Sequence, residues 1–181
     1  MTQEPTTYLD SLRAEFAELI DALAVTPTQK RFLHSRWLEQ IVWLEGKAAS
    51  AQHNYYVLRL TTIVGAVLVP ALVSLTTVSG GVGTAARVAA WVVSLIVAVS
   101  AAVEQFFHYG DRWRNYRRTV EGLKIEGWLY FQASGRYGAG AEATYAAFAE
   151  RVEEILRADV DVYLTQIVAD KGHEQGQAPA P

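Results

Sequence analysis

The chain has 181 residues and a formal net charge of −3, with 51% hydrophobic and only 19% charged residues. This length suits a single domain. The absence of cysteine excludes disulfides, thiolate zinc sites and a cysteine nucleophile, and the slightly acidic balance argues against a nucleic-acid partner.

The first predicted element is an amphipathic helix between Tyr8 and Leu23, where apolar residues recur every three or four positions. Its polar face is mostly acidic, so we expect it to pack on the protein and not on an anionic lipid surface.

A second helix is predicted to begin at Thr26. Thr26 can cap it, Pro27 suits the first helical position, and Gln29 completes a capping box. No proline interrupts residues 28–69, so this helix is predicted to continue into the apolar run that follows. Residues 1–59 are thus assigned to N-terminal cytoplasmic helices.

Two long uncharged runs follow. The 27 residues between Arg59 and Arg87 contain no Asp, Glu, Lys or Arg, and neither do the 16 residues between Arg87 and Glu104. A helix over Leu60–Val78 would extend roughly 28 Å, close to the ~30 Å hydrocarbon core of a bilayer. We therefore predict a hairpin of two transmembrane helices over residues 60–107.

Basic residues are distributed unequally around this hairpin. Only Arg87 lies near the short turn, whereas the opposite ends carry Lys47, Arg59, Arg112, Arg114, Arg117 and Arg118. The positive-inside rule then predicts a multi-pass protein of the cell inner (plasma) membrane with both termini cytoplasmic.

The C-terminal portion is also predicted to be helical. Apolar spacing continues the second span as far as Phe131, the glycine-rich stretch 134–140 ends that helix, and another amphipathic helix follows. Residues 108–169 are assigned to cytoplasmic helices and 170–181 to a disordered tail. The predicted fold is all-α, an integral membrane helical hairpin extended into an antiparallel cytoplasmic helical bundle.

Small residues repeat at every fourth position of the second span, a pattern that lets membrane helices approach closely. The repeat consists of Ala86, Ala90, Ser94, Ala98 and Ala102. It could serve packing within the hairpin or contacts between subunits.

Polar residues follow a second stripe at the inner end of this span, formed by Ser100, Glu104, His108 and Asp111. An ionisable group at such a depth is costly unless it meets water or a partner. One interpretation is the mouth of a water-filled path, lined by Ser94, Ser100, Glu104 and His108, where carboxylates attract cations. The alternative is that Glu104 pairs with an arginine such as Arg59 and His108 faces solvent.

Hydroxyl residues at the two ends of the first span allow two interpretations, pore lining or hydrogen bonds to their own helix carbonyls. They are Thr61, Thr62, Ser74, Thr76 and Thr77. No metal-binding histidine pattern, nucleophile elbow or phosphate-binding loop occurs, so we predict no enzyme activity, no metal site and no cofactor.

The segment Asp111–Arg118 mixes arginines with aromatic residues just inside the predicted span. Topology and attraction to anionic lipid headgroups explain this composition better than nucleic-acid binding. Further along, Glu121, Lys124 and Glu126 are expected to form ion pairs on the helix surface.

These residues resemble the SLATT-type bacterial two-transmembrane domains, long catalogued as a domain of unknown function. The resemblance covers roughly residues 28–168 and is carried by Arg36, Trp37, Trp113, Tyr116, Arg117, Thr119, Glu121, Leu123, Lys124, Glu126, Tyr130, Gly135, Tyr137, Phe148, Arg151, Val152 and Glu153. It implies a pore-forming or membrane-perturbing effector. For the motif residues Trp113, Tyr116, Arg117, Glu121 and Lys124 we expect a structural role in the bundle.

The leading hypothesis is a homo-oligomeric membrane protein that forms an ion-conducting pore or perturbs the lipid bilayer, since one hairpin cannot enclose water. The alternative is a non-conducting membrane anchor or scaffold whose cytoplasmic helices bind a protein partner.

Overall fold

The structure is a computed structural model that describes residues 8–176, with side chains described as far as Asp161. Its elements are α1 (Tyr8–Ala22), α2 (Pro27–Phe32), a π-helical segment (Leu33–Leu38), α3 (Glu39–Leu75), α4 (Gly81–Phe107), α5 (Tyr109–Phe131), a 3₁₀ turn (Gly135–Tyr137) and α6 (Ala141–Gly176). The described residues contain no strand, which confirms the all-α class. The assignment of residues 170–181 to a disordered tail stays a prediction. Helix α6 is described as far as Gly176, and residues 177–181 lie outside the described residues.

The start of α2 follows the predicted capping box. The Thr26 hydroxyl oxygen accepts a hydrogen bond from the Gln29 amide at 3.3 Å, and the Gln29 side-chain oxygen accepts one from the Thr26 amide at 2.8 Å. Helix then continues over 49 residues to Leu75, as predicted. The sequence pattern did not reveal that the turn over Leu33–Leu38 is π-helical.

Residues 8–47 and 115–176 belong to the first of two units, the compact helical unit. Its core is aromatic, with the fully buried Trp37 ring centred 5.1 Å from Phe16, 5.4 Å from Phe131 and 6.1 Å from Phe148. Phe16 belongs to α1, so the acidic amphipathic helix packs on the protein as expected.

The second unit comprises residues 48–114. Within it, α3 and α4 approach closely at Gly65, where a Cβ atom would lie 2.1 Å from Val97 Cγ2. Gly80 adopts a φ of 92° immediately before α4, a conformation that glycine reaches without steric cost.

The predicted continuity of the second span into the following helix is wrong. His108 has φ 50° and ψ 43°, the left-handed conformation, so α4 ends at Phe107 and α5 begins at Tyr109. A left-handed residue cannot continue a right-handed helix, and apolar spacing does not register a break of one residue.

Candidate functional site in the apolar helices

The apolar parts of α3 and α4 are each long and apolar enough to cross a membrane. Their large side chains are mostly exposed, with 78% of Trp91, 70% of Val67 and 62% of Leu95 accessible. A helix of comparable composition in the core of a soluble protein would be buried on every side. These two helices therefore present an apolar surface that nothing in the described chain covers.

The face of α4 that is buried differs from the predicted ridge of small residues. Ala86 and Ala90 are buried, whereas Ser94, Ala98 and Ala102 are exposed. A step of four residues overshoots a helical turn by about 40°, so such a ridge drifts around the helix. The ridge therefore begins on the buried face and ends on the exposed one.

The predicted polar stripe is divided by the break at His108. Ser100 is buried, Glu104 and His108 are partly buried, and Asp111 lies on α5, where it pairs with Arg114 at 2.6 Å. No ion pair of Glu104 occurs among the residues that the structure describes, so the pairing with Arg59, given above as the alternative, is not formed.

The position of Glu104 makes its carboxylate costly. It lies in the last turn of α4, where its carbonyl oxygen accepts the amide of His108 at 2.9 Å. A negative charge near a helix C-terminus is unfavourable because that end already carries negative partial charge. Contact with water or a cation would offset this unfavourable interaction, and also the lack of a counter-charge among the described residues.

The hydroxyl groups of the first span satisfy their own helix, which is the alternative given for them above. Thr61 donates to the carbonyl oxygen of Val57 at 2.8 Å and Thr62 to that of Leu58 at 3.0 Å. The hydroxyls of Ser74, Thr76 and Thr77 likewise donate to carbonyls three residues earlier.

Aromatic rings gather where the apolar helices end. Trp113 stacks on Tyr55, with centroids 6.3 Å apart and planes at 21°, and lies 6.0 Å from Tyr56. Close approach is possible because Gly110 faces the Tyr55 ring, where a Cβ would lie 3.0 Å away. Trp113 thus packs the start of α5 against α3.

Two other motif residues, Arg117 and Lys124, converge on Glu45, which is only 4% exposed. Arg117 donates to Glu45 at 2.9 Å and Lys124 forms an ion pair with it, while Glu121 lies 3.4 Å from Arg117. Burial of Lys124 lowers its pKa, but the hydrogen bond and the charge of Glu45 outweigh this effect and raise the pKa overall.

Tyr116, the remaining motif residue, contacts Trp43, with ring centroids 6.3 Å apart. The four motif residues of this compact unit therefore all link α5 to α3 or to each other. Glu45 itself was missed in the sequence, because a single Glu on a long helix carries no sign of burial.

Glu126 is buried, contrary to the expectation of a surface ion pair. Its carboxylate accepts hydrogen bonds from the Tyr137 hydroxyl at 2.7 Å and from Arg151 at 3.3 Å, and Arg136 lies 3.7 Å away. Burial, followed by the hydrogen bond between the Tyr137 hydroxyl and Glu126, raises the pKa of Tyr137. The expectation failed because the partners of Glu126 come from other elements and not from its own helix.

Arg36 and Glu153 form a bidentate ion pair across 117 residues of sequence, at 2.7 and 2.9 Å. The Arg36 hydrogen bond holds the pKa of Glu153 below its ordinary value. Both belong to the segments on which the family resemblance is based.

No group of three or more His, Asp or Glu among the described residues is placed to hold a metal ion. No buried side-chain nitrogen or oxygen in that part of the chain lacks a hydrogen-bond partner. The buried side chains of the described residues therefore find their partners in backbone carbonyls and in polar groups nearer the surface.

The geometry defines an all-α protein that combines two helices apolar enough to cross a membrane with a compact helical unit stabilised by internal ion pairs. The chain belongs to the family described as protein of unknown function DUF4231, whose sequence model matches residues 39–144. Comparison with curated proteins found no match, and neither did comparison with solved structures.

Proposed function

We propose that this protein is an integral membrane protein in which α3 and α4 cross the bilayer as a hairpin, and that several copies assemble into an ion-conducting pore. The exposed apolar surface of both helices supports insertion, because lipid tails would cover what the described chain leaves uncovered. The unequal distribution of arginines supports cytoplasmic termini in the inner membrane.

The pore is carried by one observation: the carboxylate of Glu104, in the last turn of an exposed apolar helix, has no ion-pair partner among the described residues. In a ring of subunits, the carboxylates would face water and attract cations to the pore mouth. Ser94, Ala98 and Ala102 lie on the exposed part of α4 and would allow close approach of neighbouring copies. The SLATT-type resemblance points to the same function.

Insertion and topology are tested by cysteine labelling, since the natural chain contains no cysteine and gives no background. Ser79→Cys lies in the turn between α3 and α4, and Ser11→Cys lies on α1. We expect an impermeant maleimide to label Ser79→Cys in intact cells and Ser11→Cys only after permeabilisation. Equal labelling of both in intact cells would contradict the topology.

Conduction is tested by planar-bilayer recording of purified protein. We expect a cation-selective conductance whose selectivity falls in Glu104→Gln. Glu18→Gln is the matched control, because it removes one exposed carboxylate from α1 without changing the apolar helices. No conductance, or equal selectivity in all three proteins, would exclude the pore.

A second candidate function, a non-conducting anchor that binds a protein partner, is favoured by a groove of about 430 Å³ in the compact helical unit. Its lining includes the exposed side chains of Trp43 and Val160 beside Arg36 and Glu153. Light scattering in detergent separates the two functions: more than two copies favours the pore, and a monomer or dimer that captures a partner favours the anchor.

A further inference from the structure

Arg59 and Arg112 lie at the same end of the apolar helices. Arg59 is the last charged residue before the apolar run of α3 and follows Tyr55 by one helical turn. Arg112 precedes Trp113, whose ring stacks on that of Tyr55. The contact between these rings therefore brings both arginines to the end where α4 terminates at Phe107.

Both arginines are exposed, and neither forms an ion pair with another described residue. Arg114, in the same turn of α5, is instead neutralised by Asp111 at 2.6 Å. Within residues 55–60 and 104–114 the arginines exceed the carboxylates by three to two, since these ranges contain Arg59, Arg112 and Arg114 but only the carboxylates Glu104 and Asp111. Two guanidinium groups thus remain available to an anion.

The rings at this end resemble those that anchor proteins at a bilayer surface. Tyr56 is 52% and Phe106 is 76% exposed, and the Trp113 ring of α5 packs against Tyr55 and Tyr56 of α3. Tyr and Trp are enriched at the depth of the lipid headgroups, where one edge of the ring is apolar and the other is wet. An anion bound by the arginines would lie at this depth.

We propose that Arg59 and Arg112 bind the phosphate of an anionic phospholipid in the leaflet that surrounds this end of the helices. This inference rests on the proposed insertion of α3 and α4 into a bilayer. Guanidinium groups match phosphate oxygens by bidentate hydrogen bonds, and the rings beside them contact the glycerol and the upper acyl chains. The bound lipid would neutralise the end of the hairpin at which Arg59 and Arg112 have no ion-pair partner among the described residues.

The test uses the full chain in detergent, titrated with phosphatidylglycerol or phosphatidylcholine and followed by native mass spectrometry. We expect the protein to retain phosphatidylglycerol in preference to phosphatidylcholine. Arg59→Gln or Arg112→Gln should reduce this preference about fivefold, because one arginine near an anionic surface strengthens binding by about that factor. The double variant should reduce it further. Arg87→Gln is the matched control, because Arg87 is an exposed arginine at the opposite end of α4. It should leave the preference unchanged.

Three outcomes would overturn the inference: no preference for phosphatidylglycerol, a preference that survives the double variant, or an equal loss in Arg87→Gln. Displacement of the lipid by millimolar inorganic phosphate would assign the arginines to a soluble anion and also overturn it. Flotation with pure phosphatidylcholine vesicles tests insertion separately. Failure to float contradicts the proposed function, whereas flotation without an anionic preference contradicts this inference alone.

Discussion

The indole nitrogen of Trp37 donates a hydrogen bond to the carbonyl oxygen of Leu123 at 3.1 Å, across 86 residues of sequence. The indole is fully buried, and its six-membered ring lies against Gly127, one turn further along α5. A side chain at position 127 would occupy the space of the ring. The hydrogen bond and the glycine together determine how closely α5 approaches the π-helical segment.

Gly127→Ala should destabilise the compact helical unit, because the new Cβ would lie 2.1 Å from Trp37 Cζ2. We expect a loss of about 1–3 kcal/mol, typical of overpacking a core. Gly122→Ala is the control, since its Cβ would meet Ile155 at an ordinary 3.9 Å. It should be neutral or stabilising by up to about 1 kcal/mol through helix propensity. Thermal unfolding in detergent measures both, and equal melting temperatures would contradict the close contact.

Glu45→Gln should destabilise the same unit by about 3 kcal/mol, because it leaves the mostly buried ammonium of Lys124 without its main counter-charge. Glu121→Gln removes a carboxylate that is 45% exposed from the same network and should cost less than about 1 kcal/mol. Denaturant unfolding compares the two variants. If the double variant Glu45→Leu, Lys124→Met were less stable than Glu45→Gln, an unpaired charge would not be the cause.

The Arg36–Glu153 pair should make stability depend on acid pH. Arg36 lowers the pKa of Glu153 from its ordinary 4.5, so the stabilisation is complete above that pH and is lost as pH falls through the lower folded pKa. Both side chains are more than one third exposed, which limits the effect to about 1 kcal/mol or less.

Melting temperatures between pH 7 and pH 3 test this dependence. Glu153→Gln should lower stability at pH 7 and flatten the acid limb, whereas Glu150→Gln, which removes an exposed carboxylate from the interior of the same helix, should do neither. Parallel acid limbs in wild type and Glu153→Gln would be inconsistent with the pair.

Tyr130 should make the compact unit sensitive to alkali. Burial, followed by the influence of Tyr145, raises its pKa from 10.0 to about 12. The neutral hydroxyl therefore contributes stability that is present below pH 10 and is lost as pH rises through about 12. Tyr130→Phe should cost about 1 kcal/mol at neutral pH, because it removes the hydrogen bond to Ala141.

In the same variant the loss of stability between pH 10 and 12 should be smaller than in the wild type. Unfolding monitored by far-ultraviolet circular dichroism over that range provides the measurement. Tyr56→Phe, at an exposed tyrosine, is the control and should retain the wild-type alkaline loss. A wild-type alkaline profile in Tyr130→Phe would refute the assignment.

Periodicity and end signals predicted much of the fold. The capping box at Thr26, the amphipathic α1 and the continuous helix into the first apolar run are all present, because each depends on residues close in sequence. The break at His108 was not predicted. A positive φ such as the 50° of His108 is uncommon for any residue other than glycine, so the residue type gave little indication of the break.

Two helices long and apolar enough for a bilayer could be recognised from residue order alone, because that property is a sum over consecutive residues. Residue order could not determine which charges are buried. Glu45 and Glu126 acquire their partners from helices distant in sequence, whereas Glu104 acquires none among the described residues. Burial and pairing of these charges follow from the folded arrangement, because Coulomb attraction and desolvation depend on distances in space that the spacing along one helix does not give.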